Sequence, residues 1–268
     1  MKIGFMQGRL IDSEKKNTIQ FFPQKNWKKE INIAKNLKFN LMEWTIDLIN
    51  IKKNPLYSKK QTIELKKILK INKFNVHSVT CDFFMQKPFF KENKKKKYLS
   101  LLKKIIINSQ IIGIRYIVIP LVDNSSLRNE NQEKILVKEM NSFAKILKKN
   151  NKILFEIDYK PNKIKNFITK FGKKFGINYD TGNSAGLDYK FEDEKYYFKY
   201  VYNIHIKDRK KYGTTVRLGK GNWEPKKFFK YLKKIKYKNN LILQTARAKN
   251  NNHINEILLN LKFIKKYI

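Results

Sequence analysis

The chain has 268 residues, of which 41% are hydrophobic and 13% aromatic, so it can bury a sizeable core and is not disordered along its whole length. Its formal net charge of +38 invites a role in binding nucleic acids or anionic membranes. However, the lysines are spread over nearly every segment and only six of the 60 basic residues are arginine, which indicates solvated faces and argues against a specific nucleic-acid site.

Eight short apolar runs, each bounded by turns or polar residues, predict β-strands. In chain order they span residues 2–6, 39–44, 74–80, 115–121, 152–158, 175–180, 202–208 and 240–246. The amphipathic stretches between them predict helices. These span residues 27–37, 58–72, 91–112, 127–149, 161–171, 224–235 and 252–266, with a shorter one near 192–200. Strands that alternate with helices are typical of repeated strand-helix units, not of hairpins.

Eight such units predict a single α/β domain over residues 1–268, folded as a (β/α)₈ TIM barrel with its active site at the C-terminal ends of the strands. A doubly wound open sheet is the structural alternative. That fold would normally carry a glycine-rich phosphate loop after the first strand, and MQGRL at 6–10 lacks G-x-G-x-x-G. The sequence also has no linker long enough to divide two domains.

The expected compartment is the cytoplasm. Cys81 is the single cysteine and cannot form an internal disulfide, which fits a reducing environment. No apolar run approaches the roughly 18 residues that a membrane helix needs, and the first residues turn polar too early for a signal peptide. We therefore expect no membrane partner, and a homodimer is one assembly that the chain could form.

Polar residues cluster at the predicted C-terminal strand ends, although strands buried on both faces have no structural need for them. Glu156, Asp180, His205 and Gln244 occupy equivalent positions on the last four strands. Taken singly, each has an ordinary explanation as an ion pair, a turn or a core residue. Together, two carboxylates, an imidazole and an amide oxygen form a plausible shell for one Mn²⁺, Mg²⁺ or Co²⁺ ion.

The chain resembles the sugar phosphate isomerase/epimerase family of the xylose isomerase-like TIM barrel superfamily. The resemblance runs from MKIGFMQGRL through FEID, NYDTGNSAGLDY and HIKDR to GTTVRLGKGNW and LILQTAR. It implies that Glu156, Asp180 and His205 bind the metal and that Glu156 is also the catalytic base. The fourth matching position usually carries a second glutamate, and here it is Gln244.

The resemblance implies a divalent-metal-dependent isomerase or epimerase that acts on a small sugar or sugar phosphate through an enediolate. An amide cannot exchange protons at neutral pH, so Gln244 puts epimerisation by two glutamates in doubt. Isomerisation on one face needs only Glu156. The alternative is a noncatalytic sugar- or metabolite-binding barrel that lost its second glutamate. An endonuclease IV-like DNA repair enzyme is disfavoured, because a multinuclear zinc site needs many imidazoles and carboxylates and this chain has only three histidines.

Further residues at strand ends are candidates for substrate binding. The guanidinium group suits phosphate or carboxylate recognition, so arginines in these positions favour an anionic sugar. Glu43 could orient a ligand or pair with a basic residue. His77 could bind a substrate hydroxyl or be a buried helper near the barrel mouth, and Asp208 could contact substrate or cap the strand end. The predicted substrate-binding residues are Arg9, Glu43, His77, Asp208, Arg209, Arg217 and Arg247.

Overall fold

Eight parallel strands close into a barrel in the computed structural model, which describes residues 1–13, 20–93 and 95–268. Two further short strands lie outside the barrel. In chain order the strands are β1 Ile3–Met6, β2 Leu41–Thr45, β3 Asn75–Thr80, β4 Tyr116–Leu121, β5 Lys152–Ile157, β6 Phe175–Asp180, β7 Val201–Ile206, β8 Asp208–Arg209, β9 Thr215–Val216 and β10 Leu241–Leu243. The order around the barrel is β1-β10-β7-β6-β5-β4-β3-β2, while β8 and β9 form a separate antiparallel pair.

Helices connect the strands and cover the barrel. They are α1 Trp27–Asn36, α2 Lys59–Ile71, α3 Phe83–Gln86, α4 Lys95–Ile112, α5 Glu130–Phe143, α6 Pro161–Ile168, α7 Thr181–Gly186, α8 Phe191–Glu194, α9 Pro225–Lys234 and α10 His253–Lys265. Their apolar faces pack on the outer face of the strands and form one large core cluster. Within the described part of the chain, no helix combines the length and apolar character needed to cross a lipid bilayer.

The barrel interior is apolar towards the N-terminal ends of the strands and polar towards their C-terminal ends. Alternate residues of a strand point to the same side, and Met6, Leu41 and Ile242 form a small buried cluster inside the barrel. Two positions further along β2, the same side carries the buried carboxylate of Glu43. The polar side chains therefore collect at the C-terminal ends of the strands.

The predicted single (β/α)₈ barrel is confirmed, with differences at the ends of elements. The last barrel strand covers only Leu241–Leu243, and the stretch near 192–200 forms the short α8 followed by a 3₁₀ turn. The helix predicted over 91–112 begins at Lys95, and residue 94 lies outside the described residues. Helices α3 and α7 and the β8-β9 pair were not predicted, because elements this short show no periodicity.

Candidate active site

The residues expected to bind a metal come from four neighbouring strands. Glu156 is on β5, Asp180 ends β6, His205 is on β7, and Gln244 directly follows β10. Potential ligand atoms of the first three all lie within 4.8 Å of one another, and all three residues are buried. His205 Nδ1 lies 3.1 Å from Glu156 Oε2 and 4.0 Å from Asp180 Oδ2.

Glu43 fixes the orientation of the His205 ring. Its Oε1 lies 2.7 Å from His205 Nε2, so the other ring nitrogen, Nδ1, faces Glu156 and Asp180. The Glu43 carboxylate also accepts hydrogen bonds from Ser78 Oγ at 2.5 Å, from Thr80 Oγ1 and from Asn203 Nδ2 at 2.8 Å. A carboxylate behind a histidine in this way orients the ring and makes it a better metal ligand. Glu43 therefore lies below the site, against the histidine.

Charge interactions between these buried groups shift their pKa values. Burial alone would lower the pKa of His205, but the carboxylates of Glu43 and Glu156 outweigh burial and raise it to about 10. Burial likewise acts to raise the pKa of Glu43, yet the charge of His205 and the hydrogen bonds around it hold that pKa below the ordinary value. Asn178 Nδ2 lies 3.0 Å from His205 Nδ1 and can donate to that nitrogen only while Nδ1 carries no proton.

The two carboxylates near His205 Nδ1 are held by amide donors. Asn178 Nδ2 donates to Glu156 Oε2 at 3.1 Å and Asn183 Nδ2 donates to Oε1 at 2.8 Å. Asp180 Oδ1 accepts the backbone N–H groups of Gly182 and Asn183, both at 2.8 Å, and so begins α7. Asp180 Oδ2 points instead towards Lys207 Nζ, 2.9 Å away. Burial would raise the pKa of Asp180, but the positive charges of Lys207 and His205 outweigh burial and lower that pKa.

These three residues fit a divalent cation. Mn²⁺, Mg²⁺ and Co²⁺ accept oxygen and imidazole ligands, and two carboxylates and one imidazole with converging donor atoms supply them. Asp180 Oδ2 is buried and accepts no hydrogen bond of good geometry from the described residues, although its contact with Lys207 is short. Glu156, Asp180 and His205 could therefore hold the ion.

Both polar atoms of the Gln244 amide form hydrogen bonds. Its Oε1 accepts a hydrogen bond from Lys207 Nζ at 3.2 Å. Its Nε2 donates to Gln20 Oε1 at 2.9 Å, and Gln20 Nε2 in turn donates to Asp82 Oδ2 at 2.6 Å. The amide oxygen therefore points towards Lys207, the same ammonium that contacts Asp180.

A cavity of about 400 Å³ opens above the cluster. Its lining includes the Glu156 carboxylate, the Gln244 amide and two basic side chains. The lining residues are Gln20, Thr80, Asp82, Met85, Gln86, Pro120, Val122, Asp123, Glu156, Asn183, Lys207, Arg209, Gly213, Thr214, Thr215 and Gln244. This volume and polarity suit a small hydroxylated molecule.

Asp82 is a cavity residue that was not among the predicted site residues. Burial raises its pKa to about 8 despite the hydrogen bond from Gln20, so it can carry a proton at neutral pH. Its Oδ1 is buried and has no hydrogen-bond partner among the described residues. The strand-end rule could have identified it, since it follows β3 by two residues.

Of the four predicted arginines, Arg209 lines the cavity. Its Nη1 donates to Asn183 Oδ1 at 3.3 Å, and its Nε donates to the carbonyl oxygen of Gly213 at 3.1 Å. Arg9 is buried and donates to the carbonyl oxygen of Thr245 at 2.9 Å. Neither it nor the remaining two arginines lines the cavity.

The remaining two arginines contact loops and helices. Arg247 donates to the carbonyl oxygens of Gly8 and Ile11 and therefore ties the chain after β10 to the loop after β1. Arg217 forms an ion pair with Glu256 on α10, with Nε to Oε1 at 2.8 Å. These contacts give both side chains structural roles in the protein.

His77 and Asp208 also lie apart from the metal cluster. His77 Nδ1 lies 3.1 Å from Nδ2 of Asn240, the residue just before β10, so the histidine sits towards the N-terminal end of the barrel, opposite the site. The Asp208 carboxylate accepts the backbone N–H groups of Gly219, Gly221 and Trp223 at 2.9–3.0 Å. It therefore anchors the loop that carries the L-G-x-G motif.

Comparison with known proteins supports the same architecture. A xylose isomerase domain protein from Planctomyces limnophilus superposes with a TM-score of 0.75 at 13% identity, covering 99% of this chain and 96% of that one. The IOLI protein with a bound zinc atom gives 0.74 at 15% identity, over 100% and 99% of the two chains. D-Psicose 3-epimerase, solved in the presence of D-fructose, gives 0.76 at 14% identity, also over 100% and 99%. At these identities the similarity shows the fold.

The family follows from the sequence itself. No curated protein sequence matches the chain significantly. The family model of the xylose isomerase-like TIM barrel matches residues 31–267, which is most of the chain and includes the strands that carry the cluster. The chain therefore belongs to the xylose isomerase-like TIM barrel family.

Proposed function

We propose that this protein is a divalent-metal-dependent isomerase or epimerase that acts on a small sugar or sugar phosphate. The observation that carries the proposal is the convergence of Glu156, Asp180 and His205 beneath a cavity at the C-terminal ends of the strands. Structural neighbours include a D-psicose 3-epimerase, an L-ribulose 3-epimerase and a 3-keto-D-glucoside 4-epimerase, which supports sugar chemistry at this site.

Glu156 is the proposed base. Its carboxylate lines the cavity, and the amides of Asn178 and Asn183 hold both of its oxygens. In the proposed reaction it removes a proton from the carbon next to the substrate carbonyl. Returning that proton to the former carbonyl carbon on the same face converts a ketose into an aldose, or the reverse, with one base, provided that the proton of the neighbouring hydroxyl passes to the former carbonyl oxygen. The enediolate that forms between these steps carries negative charge.

The other residues of the site bind and orient. Glu156, Asp180 and His205 would hold the metal ion, which when bound supplies positive charge that stabilises negative charge developing on substrate oxygens. Arg209 and Lys207 bring cationic groups to the cavity lining, which favours a substrate with an anionic group. Cytoplasmic location and homodimer formation stay predictions from the sequence.

Replacement of Glu156 by glutamine tests whether turnover requires this carboxylate. Glu156→Gln keeps the shape of the side chain but removes the group that accepts the proton, so turnover should fall by about 10²- to 10⁴-fold. The assay would use a panel of aldoses, ketoses and their phosphates with Mn²⁺, Mg²⁺ or Co²⁺. Glu130→Gln, at a glutamate whose side chain is 93% exposed on α5, is the matched control. A rate in Glu156→Gln equal to that of the control would refute the assignment.

Noncatalytic sugar binding is the second candidate function. The specific observation in its favour is that the Gln244 amide, which cannot act as a base, contacts the ammonium of Lys207 beside Asp180. A binder would hold a sugar of the panel, measured by calorimetry, without converting it. Conversion of any sugar by the native chain, abolished in Glu156→Gln, would exclude this candidate.

A further inference from the structure

Lys207 places a positive charge against the candidate metal site. Its Nζ lies 2.9 Å from Asp180 Oδ2 and 3.2 Å from Gln244 Oε1, which are oxygens of two of the four residues expected to bind the ion. The lysine side chain is only 13% exposed. The chain therefore supplies a cation of its own at this place.

Several local features hold Lys207 in position. Its backbone N–H donates to Thr181 Oγ1 at 2.9 Å, and its carbonyl oxygen accepts from the same hydroxyl at 2.6 Å. The aliphatic part of the side chain crosses Gly182, where an added Cβ would lie 2.6 Å from Lys207 Cγ. Only a glycine at 182 lets the lysine pass this close to α7 and reach Asp180.

A bound divalent cation and this ammonium cannot both stay next to Asp180 without strong repulsion. Asp180 Oδ2 is the oxygen that points away from the α7 backbone and is therefore the one free to bind an ion. Lys207 already neutralises it. Because Gln244 is uncharged, the ammonium has no second carboxylate at that position to which it could move.

We propose that Lys207 is an internal competitor of the divalent cation, so that the ion binds only when the ammonium leaves Asp180. Lys207 also lines the cavity, which gives the displaced ammonium room beside the substrate site. Lys207 is then a positioning residue that sets metal affinity. This inference rests on the proposed function only in assuming that the site takes a divalent ion.

The test measures binding of the metal alone. Lys207→Met removes the charge and keeps a long apolar side chain over Gly182. Because like charges placed side by side repel each other, the dissociation constants for Mn²⁺ and Co²⁺, measured by calorimetry on metal-stripped protein, should fall by about tenfold or more. Lys207→Arg retains the charge and should bind these ions as weakly as the native chain.

Lys210→Met is the matched control, since it removes one lysine charge from an exposed side chain three residues further on. It should leave the dissociation constants unchanged, because solvent screens its charge. Equal metal binding by native protein and a folded Lys207→Met would overturn the competitor role and leave the metal-dependent function standing. No binding by either would overturn both. Thermal unfolding and circular dichroism verify that each variant is folded, and Lys207→Gln replaces Lys207→Met if that variant fails.

Discussion

Gln244 limits the proton transfers that the proposed reaction could use. Its amide oxygen and nitrogen contact Lys207 and Gln20, so the side chain is held in the site, but it offers no proton-accepting group at neutral pH. Among the residues that the structure describes, Glu156 is the one carboxylate that both lines the cavity and belongs to the candidate metal cluster. One base is enough for proton transfer on a single face, whereas inversion at a carbon needs a second group on the other face.

Gln244→Glu should therefore add the missing base. The new carboxylate would lie near Lys207 Nζ, 3.2 Å from the present amide oxygen, and that charge would keep it ionised. We expect the variant to gain epimerase activity. NMR of the product and deuterium uptake from heavy water would measure this gain. Gln244→Leu, which removes the amide without adding a base, should gain nothing. Epimerisation by the native chain at a comparable rate would contradict the interpretation that Gln244 leaves the site without a second base.

At the scale of single residues, the sequence predicts positions better than contacts. Glu156, Asp180 and His205 were predicted as neighbours because ends of parallel strands meet at one rim of a barrel. The bond between Glu43 and His205 joins side chains 162 residues apart, and no spacing in the sequence indicates it. The hydrogen bond between Gln20 and Asp82 is likewise not indicated by the sequence, because it depends on how two loops pack.

The loop after β9 shows how one carboxylate shapes a whole element. Asp208 on β8 accepts three backbone N–H groups from residues 219–223, so this loop folds around its side chain. Gly219 has φ +81, a conformation that favours glycine, and an added Cβ at Gly221 would lie 2.1 Å from Asp208 Oδ1. The two glycines of the motif are thus required by geometry. Thr214, just before β9, and Thr215, its first residue, line the cavity.

Gly221→Ala should destabilise the protein for this reason. The added methyl group clashes with Asp208 and with the carbonyl oxygen of Arg209, 2.5 Å away, and overpacking of this kind costs about 1–3 kcal/mol. Urea unfolding followed by circular dichroism measures the loss. Gly172→Ala is the control, because an added Cβ there has nothing within 4 Å, and it should leave stability unchanged or raise it by up to about 1 kcal/mol. Equal stability of the two variants would contradict this explanation of the motif.

Among whole elements, length determines what could be predicted. The eight barrel strands and the long helices follow from apolar runs and helical periodicity. Helix α7, with the sequence TGNSAG, has no apolar periodicity and forms because Asp180 binds its first N–H groups. It depends on Asp180, for which the sequence offered two interpretations, a metal ligand or the start of a turn.

The molecule as a whole combines a strongly basic surface with buried acids. The net charge of +38 comes from lysines outside the core, whereas Glu30, Asp82 and Glu194 are buried. Burial, the largest cause for each, raises the pKa to about 7 for Glu30 and Glu194 and to about 8 for Asp82. These three groups therefore bind more protons in the folded protein than in the unfolded chain between about pH 4 and pH 8, so their contribution to stability falls as the pH rises through this range.

Glu194 gives the sharpest test, because its hydrogen-bond donors within the described part of the chain are all hydroxyl groups, those of Tyr179, Ser184 and Tyr197. Its pKa rises from 4.5 to about 7 on folding, so its contribution to stability is complete below pH 4.5 and is lost as the pH rises through 7. The loss amounts to about 3 kcal/mol at most. Glu194→Gln stays uncharged, so its free energy of unfolding should vary less between pH 4.5 and pH 8 and should exceed that of the native chain at pH 8.

The control for this comparison lies on the same helix. Glu192 on α8 has a side chain that is 58% exposed, with a loose contact to Lys195 at 3.8 Å, and exposed pairs of this kind contribute little. Glu192→Gln should therefore follow the native curve of unfolding free energy against pH, measured by urea unfolding at each pH. If Glu194→Gln also follows the native curve, Glu194 is ionised in the folded protein at neutral pH and the three hydroxyl donors outweigh its burial.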